Sequence, residues 1–382
     1  MLEHCRVCNS ELGEGFELAH APSLSSVLGQ IDAPTFVNVC DVCSHAQSEN
    51  LPNIAAYYDN QYRISLDSEQ HDQLLTSPDL KTTAYRTDYQ AKLCMDLCDI
   101  PPNAQVLDFG AAQAKSLIRL TSMRPDIVPH VFDVSADYRN SWNNWLPAEQ
   151  QATYEIPNNW RQKFDLVTSY FVLEHVDDPV GYLSSLVSWV KPEGQIFVSF
   201  PSVDANPGDM IVADHLNHFS LESLVVALNR AGLSVLKIEN DPLLCSFFVL
   251  AKVGTHQINR TSSVSNAVDR NREICLFWKR AGERLRGRLQ QHKIEACAIY
   301  GAGFYGSWLK LQIEDSCNLT VFVDMNERLW GNRHLGLAIV SPADLPSNVK
   351  TVFVGLNPLR ARQIIASVVP FQKIPLNFVW LD

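Results

Sequence analysis

The sequence predicts an α/β protein built on a seven-strand doubly wound, Rossmann-like sheet, with a small N-terminal zinc-binding domain and a second, smaller Rossmann-like lobe at the C-terminus. Three observations predict it. The apolar run Val106-Leu107-Asp108-Phe109 ends in Gly110 and opens a helical pattern; strand-like runs then recur at α/β spacing in HVFD, FDLVTSYF and QIFVSFP. Two Cys-x-x-Cys pairs precede them, and a Gly-x-Gly-x-x-Gly turn, Gly301 to Gly306, follows. A chain of 382 residues, 46% of them hydrophobic, exceeds the size at which single cores stop growing, so several units are expected. The boundaries fall at 1–56, 57–254, 255–294 (linker and helix) and 295–382.

Taken in chain order, Cys5-x-x-Cys8 and Cys40-x-x-Cys43 are two knuckles, each able to present both sulfurs to one tetrahedral Zn²⁺. Four thiolates close the coordination sphere, so the metal is expected to be structural. His4, His20 and His45 could replace a ligand, with neutral histidines the simpler view. Cys94 and Cys98, four apart on a helical stretch, read as small core residues.

Val106 to Phe109 reads as a buried parallel strand whose glycine turn lets backbone approach a ligand, and Asp133 closes the next apolar strand about 20 to 25 residues later, where a carboxylate accepts from ribose hydroxyls. That order points to an adenosyl ligand, S-adenosylmethionine. Phe164 to Phe171 is a further strand, and Leu173-Glu174-His175-Val176 follows at the carboxyl edge, where open sheets bind ligands. Lys191-Pro192-Glu193-Gly194 is a turn feeding the strand Gln195–Pro201. The densest acid-base cluster is Asp214-His215-Leu216-Asn217-His218, ahead of a helix that Ser220 can cap.

Past Gly254, THQINRTSSVSNAVD reads as a polar linker, and residues 270–293 as a helix with Ile274, Trp278, Ala281, Leu285 and Leu289 on its buried face. A second α/β unit then runs from Ala298-Ile299-Tyr300 through Gly301-Ala302-Gly303 to Val321-Phe322-Val323-Asp324. Strand, glycine turn, helix, strand and terminal acid form a dinucleotide fingerprint, so a nicotinamide cofactor is an alternative. The unit is short for a full dinucleotide domain and shows no apparatus for hydride transfer.

Net charge of −11 and a pI near 5.5 argue against nucleic acid as a partner. No stretch approaches 18 apolar residues, and MLEHCRVCNSE lacks a basic region followed by an apolar segment, so no membrane association and a cytoplasmic location are expected.

The runs VLDFGAAQAKS, FDVS, SYFVLEHVDDP, KPEG and ADHLNHFS resemble class I S-adenosylmethionine-dependent methyltransferases. Among these the chain is similar to the three-part sugar methyltransferases, including C-methyltransferases of deoxysugar nucleotides. The resemblance implies cofactor contacts at Asp108, Phe109, Gly110, Ala112, Asp133, Val134 and Phe171. It puts the acid/base pair at Asp214 and His215, with His215 as base and His218 as second choice, and gives Glu174, His175 and Tyr62 places beside donor and acceptor. It suggests that Gly301, Gly303, Asp324 and Asn357 in the C-terminal lobe help hold a nucleotide-sugar substrate. Two departures stand out. Ala112 and Ala114 occupy positions where the family shows glycine, at a cost of roughly 1 kcal/mol each for the left-handed backbone, and Asp214 replaces a glutamate.

The expected function is methylation of a nucleotide-activated sugar in surface polysaccharide or glycosylated-metabolite synthesis, at carbon through a base-generated enolate. The alternatives are sugar O-methylation, a non-catalytic scaffold subunit, and an NAD(P)-dependent oxidoreductase built on the GAGFYG turn.

Overall fold

Strand alternation builds the core. The computed structural model describes residues 2–51, 72–76, 83–254, 263–291 and 296–382, and its central sheet contains seven strands: β1 Gln105–Phe109, β2 Val128–Asp133, β3 Gln151–Thr153, β4 Phe164–Tyr170, β5 Val190–Pro201, β6 Leu233–Asp241 and β7 Ser246–Val253. Their order is β3-β2-β1-β4-β5-β7-β6. β1 to β5 run parallel, while β7 is antiparallel to both β5 and β6. Neighbouring residues face opposite sides. Leu107, Val167 and Val198 pack in one buried layer with Leu183, Leu186, Leu224 and Leu228, whereas Val106, Leu166 and Phe197 pack in the other with Ala91, Cys94, Leu117 and Leu120. The order reverses between β1 and β4, which puts the ligand crevice at the carboxyl ends of those strands.

The N-terminal unit is not self-contained. Its sheet runs Phe16–Ala19, Thr35–Val39, Ala46–Ser48 and finally Asn217–His218, the last strand being lent by the segment that carries the predicted acid-base cluster. A boundary at residue 56 therefore separates covalent neighbours but not hydrogen-bonded ones. Arg6 adds to the join: its guanidinium donates to the carbonyls of Ser48 (2.8 Å) and Leu216 (3.0 Å) and to the carboxylate of Asp177 (3.2 Å).

The C-terminal lobe is a second α/β layer of six strands, with Cys297–Tyr300 at the parallel centre between Leu319–Val323 and Thr351–Val354. The helix Val264–Gln291 begins six residues earlier than its composition predicts, so the end of the expected linker is helical. Val268, Cys275, Trp278, Ala281 and Leu285 continue one i+3/i+4 stripe, and that stripe packs on Leu18, Val37 and Val39 of the N-terminal sheet and on Ile299, Trp308 and Phe353 of the C-terminal lobe. The helix is a pillar shared by two units. Its arginines hold the chain end: Arg284 donates to the Leu381 carbonyl, and Arg288 to those of Trp380 and Asp382. Cys94 and Cys98 lie in the core, as expected.

Candidate active site and metal centre

Two knuckles build the N-terminal sulfur cluster by the same local geometry. Asn9 and Ser44, each directly after the second cysteine of its pair, both adopt left-handed φ of 64°. The turn closes back as the Asn9 amide donates to the Cys5 carbonyl (2.8 Å) and the Ser44 amide to the Cys40 carbonyl (2.9 Å). The sulfurs of Cys5 and Cys43 end 3.6 Å apart and those of Cys8 and Cys40 3.5 Å apart, with all four within 4.8 Å of one another. A tetrahedral ion with bonds of about 2.3 Å needs sulfur-to-sulfur edges of about 3.8 Å, close to the two short edges, so the donor set suits Zn²⁺. Hydrogen bonds from the Cys43 and Cys5 thiols favour the thiolate of Cys40. None of the three histidines weighed as substitutes enters the cluster. His45 is buried with Nε2 3.2 Å from Asn217 Oδ1, and His20 is exposed beside Glu17.

The turn after β1 is wound left-handed. Gly110 has φ 78°, and a Cβ there would lie 2.5 Å from Val172 Cγ2, which reserves the position for glycine. Ala112 and Ala114 adopt φ 45° and 56°, the conformations glycine favours, so the chain keeps the loop shape and accepts the strain of two methyl groups. The Asp133 carboxylate clamps the loop: Oδ2 accepts from the Ala112 amide (2.9 Å) and Oδ1 from the Ser135 amide (2.9 Å). Trp142 Nε1 donates to the Ala112 carbonyl from beneath (2.7 Å). Asp108 is buried and accepts from Thr168 Oγ1 (2.9 Å), and burial pushes its carboxyl up to about 7. Phe109 packs against Phe132 and Tyr182, Val134 is exposed beyond the strand end, and Phe171, at φ 56°, carries the Arg86 guanidinium 5.0 Å from its ring centre. These residues all lie along the carboxyl ends of β1, β2 and β4.

Beyond β4 the polar cluster assembles from three segments. The 3-10 turn Leu173–His175 supplies Glu174 and His175, the 3-10 turn Pro207–Ile211 supplies Asp209, and the following loop with its short strand Asn217–His218 supplies Asp214, His215 and His218. Asp209 is wholly buried and receives both δ nitrogens, from His215 at 2.6 Å and from His218 at 2.7 Å. Burial alone would favour the neutral acid, but the charges of His215 and His218 outweigh it and keep Asp209 ionised. The same pairing overcomes the desolvation of His215 and raises it to about 9, so that the ring rests as an imidazolium. Its neighbour His175, ring centres 4.8 Å away, is pushed down to about 4 by burial and by that charge. Glu174 is 1% exposed, its carboxyl raised by burial to about 8.

The expected roles divide on this geometry. His218 offers its second nitrogen to Ser48 Oγ (2.8 Å), so both of its ring nitrogens are engaged, one on each side. Asp214 lies behind both rings: its carboxylate accepts from the Ser26 amide (2.6 Å) and hydroxyl (2.7 Å) and stands 3.8 Å from His175 Nδ1, its backbone carbonyl accepts from His175 Nδ1 (2.9 Å), and its charge adds to that of Asp209 in raising His215. The partner of His215 is Asp209, a residue in the irregular turn Pro207–Ile211 that carries no spacing motif of its own. Tyr62 lies outside the described residues.

In the C-terminal lobe, Gly301 has φ 100° with its Cα against the Gly355 carbonyl, and Gly303 is open on its Cβ side. Asp324 repeats the Asp133 clamp, accepting from the amides of Ala302 and Asn326 at 2.8 Å each. Asn357 donates to the Ala205 carbonyl (2.8 Å), and the Tyr305 hydroxyl accepts from the Gly208 amide (3.0 Å) while donating to Asn206. The lobe's glycine turn is thereby docked onto the segment that carries Asp209.

Residues 84–238 match the model of a family described as a methyltransferase domain. Two curated relatives are a mitochondrial ubiquinone biosynthesis O-methyltransferase of Dictyostelium discoideum, 33% identical over 92 residues (22% of this chain, 28% of the relative), and a ubiquinone biosynthesis O-methyltransferase of Pseudomonas aeruginosa PAO1, 39% identical over 74 residues (19% and 27%). The chain spans less than a third of the length of these relatives. A solved structure of the mitomycin 7-O-methyltransferase MmcR aligns at 15% identity with a TM-score of 0.38, covering 44% of this chain and 54% of that one.

Proposed function

We propose that the protein transfers the methyl group of S-adenosylmethionine to a small acceptor bearing oxygen functions, a nucleotide-activated sugar, in the cytoplasm. The loop clamped by Asp133 carries the cofactor half of this reading. It presents a left-handed turn and a buried carboxylate at the carboxyl edge of β1 and β2, where an adenosine ribose would replace the amides now bound. The sulfonium makes transfer an in-line displacement, so alignment supplies much of the rate. The acceptor's proton and charge fall to Glu174, His175 and the Asp209–His215 pair. With His215 charged at rest, its first task is to hold a developing oxyanion, and it becomes a base only after giving up its proton.

C-methylation through an enolate fits a charged donor beside a buried carboxylate. O-methylation is the second reading, favoured by the names of the curated relatives. The C-terminal glycine turn supports a nucleotide-bearing acceptor held between lobe and core, and the four-cysteine cluster supports structural Zn²⁺.

Calorimetric titration with S-adenosylmethionine, S-adenosylhomocysteine and reduced nicotinamide cofactor tests the reading. Micromolar adenosyl binding that weakens 10- to 100-fold in Asp133→Ala is expected, the loss of one or two charge-assisted hydrogen bonds. Binding of the nicotinamide cofactor alone would move the function to the C-terminal turn.

A further inference from the structure

Glu174, His175 and His215 each bring one ligand atom to within 4.8 Å of the other two, on a wall that is almost wholly buried. Three features set this trio apart from an ordinary polar cluster. Glu174 Oε2 is buried and makes no hydrogen bond, a desolvation penalty that a native fold seldom leaves standing without cause. Each imidazole is backed on its δ nitrogen by an oxygen acceptor, the Asp209 carboxylate for His215 (2.6 Å) and the Asp214 carbonyl for His175 (2.9 Å), the arrangement that orients metal-bound histidines and raises their donor strength. A ring committed through Nδ1 ligates through Nε2, so a bound ion displaces the proton that His215 otherwise carries and takes over its task of holding an oxyanion. The backing groups are themselves braced, Asp209 by His218 and Asp214 by Ser26.

We propose that Glu174, His175 and His215 bind a divalent first-row transition-metal ion, at a site separate from the four-cysteine cluster. Two imidazoles and one carboxylate suit zinc, manganese, iron or cobalt rather than magnesium or calcium, which take oxygen ligands. Three protein ligands leave coordination positions open. Only the role of those positions rests on the methyltransferase reading: they would receive an oxygen of the acceptor, which selects acceptors with a carbonyl or hydroxyl beside the methylated atom.

The test is a Co²⁺ titration of zinc-replete protein, followed by visible absorption, with S-adenosylmethionine binding measured on the same samples. Weak ligand-field bands saturating at one Co²⁺ per chain, without the intense near-ultraviolet sulfur-to-cobalt absorption, are expected. Glu174→Gln should weaken the cobalt affinity at least tenfold, and Asp209→Asn by 10- to 100-fold. Circular dichroism of both variants, expected to match wild type, reports their folding. Absence of bands at millimolar Co²⁺, bands only with sulfur absorption, or bands unchanged in Glu174→Gln would each overturn the site. Loss of adenosyl binding in wild type would instead count against the methyltransferase reading and leave the ion site standing.

Discussion

Asp209 Oδ1 lies 2.6 Å from Nδ1 of His215, and the aspartate has no solvent exposure. Its other oxygen engages His218 at 2.7 Å, so one buried charge fixes two rings from a single turn of chain. Asp209→Asn should let the His215 pKa fall from about 9 toward or below its ordinary value. Removing a buried charge partner costs about 3–5 kcal/mol. Turnover should drop 10²-fold or more, with adenosyl affinity retained. Proton resonances of the His215 ring followed against pH, beside thermal melts, check all three.

The pH profile of stability has a defined sign. His215 is raised from 6.5 to about 9 on folding and Glu174 from 4.5 to about 8, so both bind protons more tightly in the native state. The stabilisation from His215 is complete below about pH 6.5 and is lost as pH rises through 9; that from Glu174 fades between about pH 4.5 and 8. Melting temperature measured without added divalent cations should therefore fall steadily from pH 6 to 9.5. A His215→Gln chain should show a flatter slope over the upper part of that range.

Glycine restored at Ala112 or Ala114 should relieve the left-handed strain, worth about 1 kcal/mol, against a similar entropic loss from the more flexible unfolded chain. Stability is then nearly unchanged at Ala112 and slightly lower at Ala114, whose methyl packs in the core, while adenosyl affinity holds in both. Ala112→Val, whose branched side chain resists φ of 45°, should weaken binding at least tenfold. Calorimetry of the three variants decides it.

Cys43→Ser, or treatment with a strong zinc chelator, should do more than loosen the N-terminal unit. The strand Asn217–His218 pairs with Ala46 and Gln47, and Ser48 holds His218. Loss of the cluster is expected to lower turnover at least tenfold, although it lies outside the reacting wall, with adenosyl binding intact. Parallel assays of turnover and cofactor binding during chelation reveal the split.

The sequence disclosed what has periodic or spaced signals. β1, the turn at Gly110, the acid at the end of β2, the capped helix after Ser220 and the paired cysteines all fall where the residues indicate. Asp209 escaped notice because it sits in an irregular 3-10 turn beside Pro207 and Gly208, where no repeat marks a functional position. The spacing Asp209-x5-His215-x2-His218 was the available signal. The borrowed strand Asn217–His218 is two residues long, too short for alternation to show. The early start of the long helix was hidden by serine and asparagine, whose exposed positions made Val264, Ala267 and Val268 read as linker.

A protein made from its N-terminus outward meets a scheduling problem in that borrowed strand. Residues 2–51 are synthesised well ahead of the central sheet, yet the edge that completes their own sheet arrives only when residue 218 leaves the ribosome. Until then Ala46–Ser48 presents an open edge, the kind of surface that pairs with the wrong neighbour. All four clustered cysteines belong to the first 43 residues, so the knuckles can close around an ion long before the missing strand exists. They would act as a placeholder during biosynthesis, keeping the edge in register for a partner more than 160 residues away.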